Sequence, residues 1–144
     1  MAPQRASRMY HSTALLLPNG RVFSAGQTHG RFERYAEIYS PPYLFRGARP
    51  VVRNAPERVR LGGRLQFTSP DAARIADVKL MRPSSVTHGL DTEQRSVPLD
   101  FSVSGTTVTA RVPGNPNLVP RGYYMLFALN RAGVPAIAPW VRIV

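Results

Sequence analysis

Two imidazoles and a phenol define the most specific chemistry open to this chain. Tyr10 and His11 are adjacent, and His88 follows after 76 intervening residues. Imidazole nitrogen and phenolate oxygen suit Cu(II), whose tetragonal plane accepts nitrogen and oxygen donors. None of the 144 residues is a cysteine, which excludes disulfides and any mechanism that draws a thiol from this chain. Three histidines in such a length are ordinary, so residue identity permits a metal site and spacing alone does not establish one.

That chemistry requires a fold that brings positions 10, 11 and 88 together. The length suits one domain with a substantial core, or a small domain carrying a piece of another. Nineteen basic residues against 8 acidic ones give a formal charge of +11, and every basic residue except Lys79 is arginine. Such a surface attracts nucleic acid, acidic polymers or acidic protein regions. The arginines are dispersed, however, and Arg58, Arg60 and Arg64 punctuate an alternating apolar stretch as residues solvating one strand face do. No nucleic-acid-binding module accompanies them, so nucleic acid is not the expected partner. An alternative sets Arg5, Arg8, Arg21, Arg31, Arg34, Arg46 and Arg49 against protein outside the chain, where their charge would belong to an interface. No apolar run reaches transmembrane length and the opening MAPQRAS lacks the apolar segment of a signal peptide, so membrane insertion is not expected. The cellular destination is left open, a secreted parent protein included.

The pattern of apolar runs and turn residues predicts an all-β chain. Residues 14–17 and 21–24 flank Pro18-Asn19-Gly20 as a hairpin. Gly26 and Gly30 bound a turn before a strand at 35–39, which Pro41-Pro42 ends because proline cannot donate to a sheet ladder. From Pro50 onward strands are expected at 51–53, 58–61, 65–69, 77–80, 97–103, 107–112, 123–130 and 137–144, a spacing suited to a β-sandwich. Within 97–103, Val97, Leu99, Phe101 and Val103 alternate with polar residues or proline and are expected on one core-facing side. Residues 71–74 allow a brief helical turn. A boundary near 48–52 divides residues 1–48 from a sandwich at 49–144. Asn115-Pro116-Asn117 reads as a turn, since it lacks the oxygen array of a calcium loop.

The segment Arg8-Met9-Tyr10-His11-Ser12 followed by ALLLPNGRVFSAG resembles the last part of the β-propeller in the galactose oxidase and glyoxal oxidase family. AEIYSPPYLFRGARP looks like that family's passage into its immunoglobulin-like carboxy-terminal domain, and the resemblance resumes at Val86-Thr87-His88-Gly89-Leu90-Asp91-Thr92-Glu93-Gln94-Arg95 and at GYYMLFALNRAGVPAIAPW. It covers nearly the whole chain. It implies terminal strands of a kelch-type β-propeller followed by an immunoglobulin-like, early-set β-sandwich. It also implies copper as cofactor, with His11 and His88 in the copper plane and Tyr10 as the axial tyrosine that takes the substrate proton. Members of the family oxidise a primary alcohol or an aldehyde, pass the electrons to dioxygen and release hydrogen peroxide, using a radical tyrosine covalently joined to cysteine. That tyrosine–cysteine cofactor cannot form within a chain that has no cysteine.

The expected function is therefore that of a carboxy-terminal fragment of a radical-copper oxidase-like protein, inactive alone. Its expected partner is a missing propeller segment or another protein, with a primary alcohol, aldehyde or carbohydrate as substrate of the complete protein. The competing expectation is a stand-alone carbohydrate- or protein-binding β-sandwich without copper chemistry. His29 is not expected to be a ligand, nor are Tyr39, Tyr43, Tyr123 or Tyr124 expected to carry a radical.

Overall fold

The computed structural model describes residues 3–28, 31–32 and 34–144. Its regular structure is strand throughout, apart from two short 3-10 turns at Pro42–Phe45 and Ala72–Arg74. The strands are β1 (Thr13–Leu16), β2 (Val22–Ala25), β3 (Gln27–Thr28), β4 (Arg31–Phe32) and β5 (Glu37–Tyr39) in the first third of the chain. They continue as β6 (Arg58–Val59), β7 (Arg64–Thr68), β8 (Ile75–Arg82), β9 (Val86–Thr87) and β10 (Leu90–Asp91). The last five are β11 (Arg95–Pro98), β12 (Phe101–Ser104), β13 (Thr107–Arg111), β14 (Gly122–Asn130) and β15 (Trp140–Ile143).

Strands β1, β2 and β5 make one antiparallel sheet, and β3 pairs with β4 beside it. The β1–β2 connection is the expected turn: Gly20 N–H donates to Leu17 at 2.8 Å, and Gly20 takes φ +74°, which glycine adopts without cost. The sandwich pairs a five-stranded sheet, β11-β8-β14-β15-β6, with a three-stranded sheet, β12-β13-β7. Only β15 and β6 run parallel among these strands. Leu65, Phe67, Val78, Leu80, Val108, Tyr124 and Leu126 are buried between the two sheets. Tyr124 brings its hydroxyl inside with it and satisfies it by donating to the Pro120 carbonyl at 2.7 Å.

Strand β14 explains the uninterrupted apolar stretch in the sequence. Alternate residues of a strand face opposite sides. Tyr124, Leu126 and Ala128 enter the sandwich core, while Met125 and Phe127 join Ala138 in a second buried cluster on the outer face. Leu16 of β1 packs onto that second cluster together with Met81 and Leu129. The N-terminal hairpin therefore lies on the outside of the five-stranded sheet. Ala138 N–H donates to Pro18 O at 2.9 Å and an Arg49 guanidinium nitrogen to Asn19 O at 2.7 Å, which fixes the hairpin tip. A cleft of about 170 Å³ along this seam is lined by Leu16, Tyr43, Met81, Phe127, Leu129 and Pro135 and is a gap between packed layers.

Several sequence expectations shift. The single strand expected at 97–103 is two strands in different sheets: Leu99 N–H still donates to Val78, after which Asp100 O accepts from Arg111 and the chain has crossed the sandwich. Pro98 sits where the first ladder ends, and Val103 is 40% exposed rather than in the core. Residues 51–53 contribute only an isolated bridge, Arg53 to Thr68. The final strand begins at Trp140, beyond Pro135 and Pro139. Arg58, Arg60 and Arg64 are exposed, as expected of a solvated face. Among the described residues no helix is long and apolar enough to cross a membrane.

Two adjacent substitutions separate the two clusters. Leu126→Ala, inside the sandwich, is expected to lower the unfolding free energy by about 2–5 kcal/mol in urea denaturation. Phe127→Ala, on the opposite face, is expected to speed amide exchange in β1 and β2 while β7 and β13 keep their protection. Equal loss of protection in both sheets would contradict this two-layer arrangement.

Candidate metal centre

Tyr10, His11 and His88 meet. Their ring centroids form a nearly equilateral triangle, with Tyr10–His11 at 5.1 Å, Tyr10–His88 at 5.0 Å and His11–His88 at 4.8 Å. All three pairs are edge-on, with interplanar angles of 88°, 67° and 64°. The cluster lies at the surface, and Tyr10 is 64% exposed. Among the described residues no group of three or more His, Cys, Asp or Glu side chains gathers, so this donor set is two imidazoles and one phenol. His29 lies outside the described residues.

Each half of the cluster is the tip of a turn. Ser12 N–H donates to Met9 O at 2.9 Å, which makes Tyr10 and His11 the two central residues of a tight turn. Met9 N–H and the Ser12 hydroxyl both donate to Gln27 O, at 2.9 and 3.1 Å, and tie the turn to the start of β3. Gly26 makes this approach possible: a Cβ there would lie 2.5 Å from Ser12 Cα, and its φ is +126°. Gly26 is thus a close-contact position rather than a flexible one; Gly30 lies outside the described residues.

His88 and Gly89 occupy the other tip. Thr87 and Leu90 pair across it, and both central residues have positive φ, +52° and +76°, the signature of a two-residue type I′ hairpin. A hairpin of two-residue strands is too short to hold itself, so the surrounding bonds matter. Asp91 gathers the amides of Ser85, Glu93 and Gln94 on one carboxylate oxygen at 3.2, 3.2 and 2.9 Å. Burial works to raise the Asp91 pKa, but the Gln94 amide, the Ser84 hydroxyl and the Ser85 and Glu93 amides outweigh it and hold the carboxyl below its ordinary value. At the base of the finger Arg82 is ion-paired with Glu93.

The Tyr10–His11 turn has its own anchor. Arg8 donates to Tyr35 O at 3.0 Å and to Glu37 Oε2 at 3.2 Å, with longer bonds to Gly26 O and Ser24 O. Its side chain is 9% exposed, which rules out the alternative that Arg8 faces protein beyond the chain: the Glu37 carboxylate and the Tyr35, Gly26 and Ser24 carbonyls draw it inward. Its Nε is buried without a partner among the described residues. Glu37 also accepts from Arg5 N–H at 2.9 Å and Ala6 N–H at 3.4 Å. The Arg5 amide is the strongest influence on Glu37 and, with the Ala6 amide and the Arg8 and Arg5 charges, outweighs desolvation to hold its pKa below the ordinary value. A shallow depression beside the cluster is lined from both halves by Arg8, Ser12, Val86, Gly89, Leu90 and Asp91.

Sequence reasoning singled out the three ring residues and missed the hydrogen-bonding groups around them. Thr87, Asp91, Glu37 and the inward turn of Arg8 carry no motif of their own. The His88-Gly89 dipeptide between short β-prone runs was the available signal for the hairpin.

Residues 49–143 match the family described as galactose oxidase-like, early set domain. A galactose oxidase from Gibberella zeae is 34% identical over 154 residues, covering 98% of this chain and 22% of that protein. An aldehyde oxidase, GLOX, from Vitis pseudoreticulata is 36% identical over 165 residues, covering 100% of this chain and 31% of that protein. A fungal alcohol oxidase solved in complex with copper superposes with a TM-score of 0.87 at 34% identity, covering 99% of this chain and 32% of that one. The chain thus spans between about a fifth and a third of the length of these relatives.

The Glu37 contacts set an acid limit on the Tyr10–His11 half. A carboxyl whose folded pKa is depressed contributes stability above its unfolded pKa and loses it as pH falls through the folded value. The Arg5 and Ala6 amide resonances are therefore expected to titrate with a midpoint below the ~4.3 of a free glutamate. A midpoint at or above that value would reject the anchor.

Proposed function

Because this chain belongs to the galactose oxidase-like early set domain family, we propose that it contributes Tyr10, His11 and His88 to a mononuclear copper centre of an alcohol- or aldehyde-oxidising protein. The observation that carries this reading is the meeting of the three rings within 5.1 Å despite the long sequence gap. The donor chemistry fits: two imidazole nitrogens and a phenolate oxygen are a set that Cu(II) accepts. The homologues named for galactose, aldehyde and alcohol oxidation, one of them solved with copper, support copper in the family.

The two halves divide the work. His11 and His88 would hold the copper from opposite turn tips, one beside the N-terminal sheet and one on the sandwich finger. Tyr10, open to solvent, would take the proton of a substrate hydroxyl, a general-base role for its phenol oxygen. Copper, where bound, would accept one of the two electrons that leave the alcohol, and dioxygen would then take both, with two protons, to become hydrogen peroxide. The other acceptor in this reading is a tyrosine–cysteine radical from sequence outside this chain, since no cysteine is present here. In this reading residues 1–48 are the propeller's closing strands and 49–144 the sandwich, and further propeller strands pair along the β5 edge of the β1-β2-β5 sheet.

Calorimetric titration of the purified chain with Cu(II), followed by electron paramagnetic resonance, tests the site. One copper per chain with nitrogen ligation is expected, and His11→Ala and His88→Ala should each abolish it. The absence of a defined wild-type site, or its survival in both variants, would reject the reading. Peroxide production by the copper-loaded chain alone should be undetectable; turnover of an alcohol by it would show that no outside radical is needed.

A further inference from the structure

The two turns bring three rings together, but ring contact alone leaves one variable of the site unset. An imidazole turned by 180° about χ2 exchanges Nδ1 with Cδ2 and Nε2 with Cε1 while keeping nearly the same shape, and that torsion is broad and close to two-fold. Edge contacts with Tyr10 and His11 therefore discriminate poorly between the two orientations of His88. A hydrogen bond to a ring nitrogen does discriminate. Thr87 Oγ1 lies 2.6 Å from His88 Nδ1, and among the described residues it is the hydrogen-bond partner of that ring.

We propose that Thr87 is a positioning residue: its hydroxyl fixes the His88 ring orientation by engaging Nδ1 and leaves Nε2 as the nitrogen offered toward Tyr10 and His11. The backbone makes the contact possible. His88 sits at φ +52°, a left-handed conformation that turns its side chain away from the course of β9, and Gly89 at φ +76° completes the reversal. Thr87, the last residue of β9, is held by its pairing with Leu90. The bonds to Asp91 and from the Thr92 hydroxyl to Ser85 O keep the finger closed, so the Thr87 hydroxyl meets the ring at a fixed place. A hydroxyl can donate to a bare Nδ1 or accept from a protonated one. In the metal-bound state the ligand nitrogen carries no proton, so Nδ1–H donates and Thr87 accepts. A hydrogen bond to the far nitrogen of a ligating imidazole fixes both its tautomer and its aim.

This inference deepens the copper reading above and rests on it for its functional consequence, but the contact itself can be tested without metal. The chain is labelled with 15N-histidine, and long-range 1H–15N spectra are recorded copper-free above the imidazole pKa for wild type, Thr87→Val and Thr87→Ser. Cu(II) affinity is then measured on the same samples. Thr87→Val, close to isosteric, is expected to move the His88 Nδ1 resonance and to weaken copper binding by about 10–100-fold. Thr87→Ser, which keeps the hydroxyl, should retain the wild-type values of both. An Nδ1 resonance unchanged in Thr87→Val overturns the proposal whatever copper does, and so does a wild-type copper affinity in that variant. A moved resonance, restored in Thr87→Ser, in a chain that binds no copper would sink the metal reading and leave the Thr87 contact standing.

Discussion

Everything in this molecule that matters for the cluster hangs on a strand buried from both sides. Strand β14 sends Tyr124, Leu126 and Ala128 into the sandwich and Met125 and Phe127 into the contact with the N-terminal hairpin. At about 25 cal/mol per Å² of apolar surface removed from water, covering such side chains is the dominant attraction available to either layer. The same strand pairs with β8, whose C-terminal end leads into the His88 finger. One packed element thus fixes both the layer that carries Tyr10 and His11 and the layer that carries His88. Without the second cluster, only polar contacts such as those at Pro18 and Asn19 would hold the hairpin to the sandwich.

Around that packing, the aiming is done by small polar devices. Two tight turns present the ring residues, and each is secured by backbone groups collected on one carboxylate: Glu37 for the segment before Tyr10, Asp91 for the finger. Both carboxyls are held below their ordinary pKa by those bonds. The arrangement places order in the supports and leaves the ring edges open. That division suits a site completed by groups from elsewhere, since a cluster that satisfied itself would have nothing left to offer a ligand.

The sequence announced the strands, the Pro18-Asn19-Gly20 turn and the apolar character of residues 123–129 because these signals are local: alternation, turn residues and length. It misplaced the 97–103 segment because alternation says which residues share a side and not which sheet they join. Val97 and Val103 alternate correctly yet lie in different sheets, one buried and one exposed. On charge alone it left an outward place open for Arg8, whereas Arg8 turns inward to the Tyr35 carbonyl and the Glu37 carboxylate, which no linear pattern reveals. The three ring residues were legible only through resemblance, since positions so far apart have no shared periodicity. Their neighbours Thr87 and Asp91 stood in the same motif without a chemical label, and geometry gives them one.

The left-handed backbone at His88 has a consequence for how this chain should be handled by design. A two-residue tip with both φ values positive is most comfortable as asparagine followed by glycine, and a side chain such as imidazole held there costs on the order of 1 kcal/mol. Any procedure that ranks substitutions by folding stability alone would therefore choose position 88 among the first to repair. In the copper reading, the repaired hairpin would be sturdier and would have lost one of its two proposed imidazole ligands. Thermal improvement of this scaffold has to begin by exempting a residue that stability alone would replace, and to look for its gains in the seam between the layers instead.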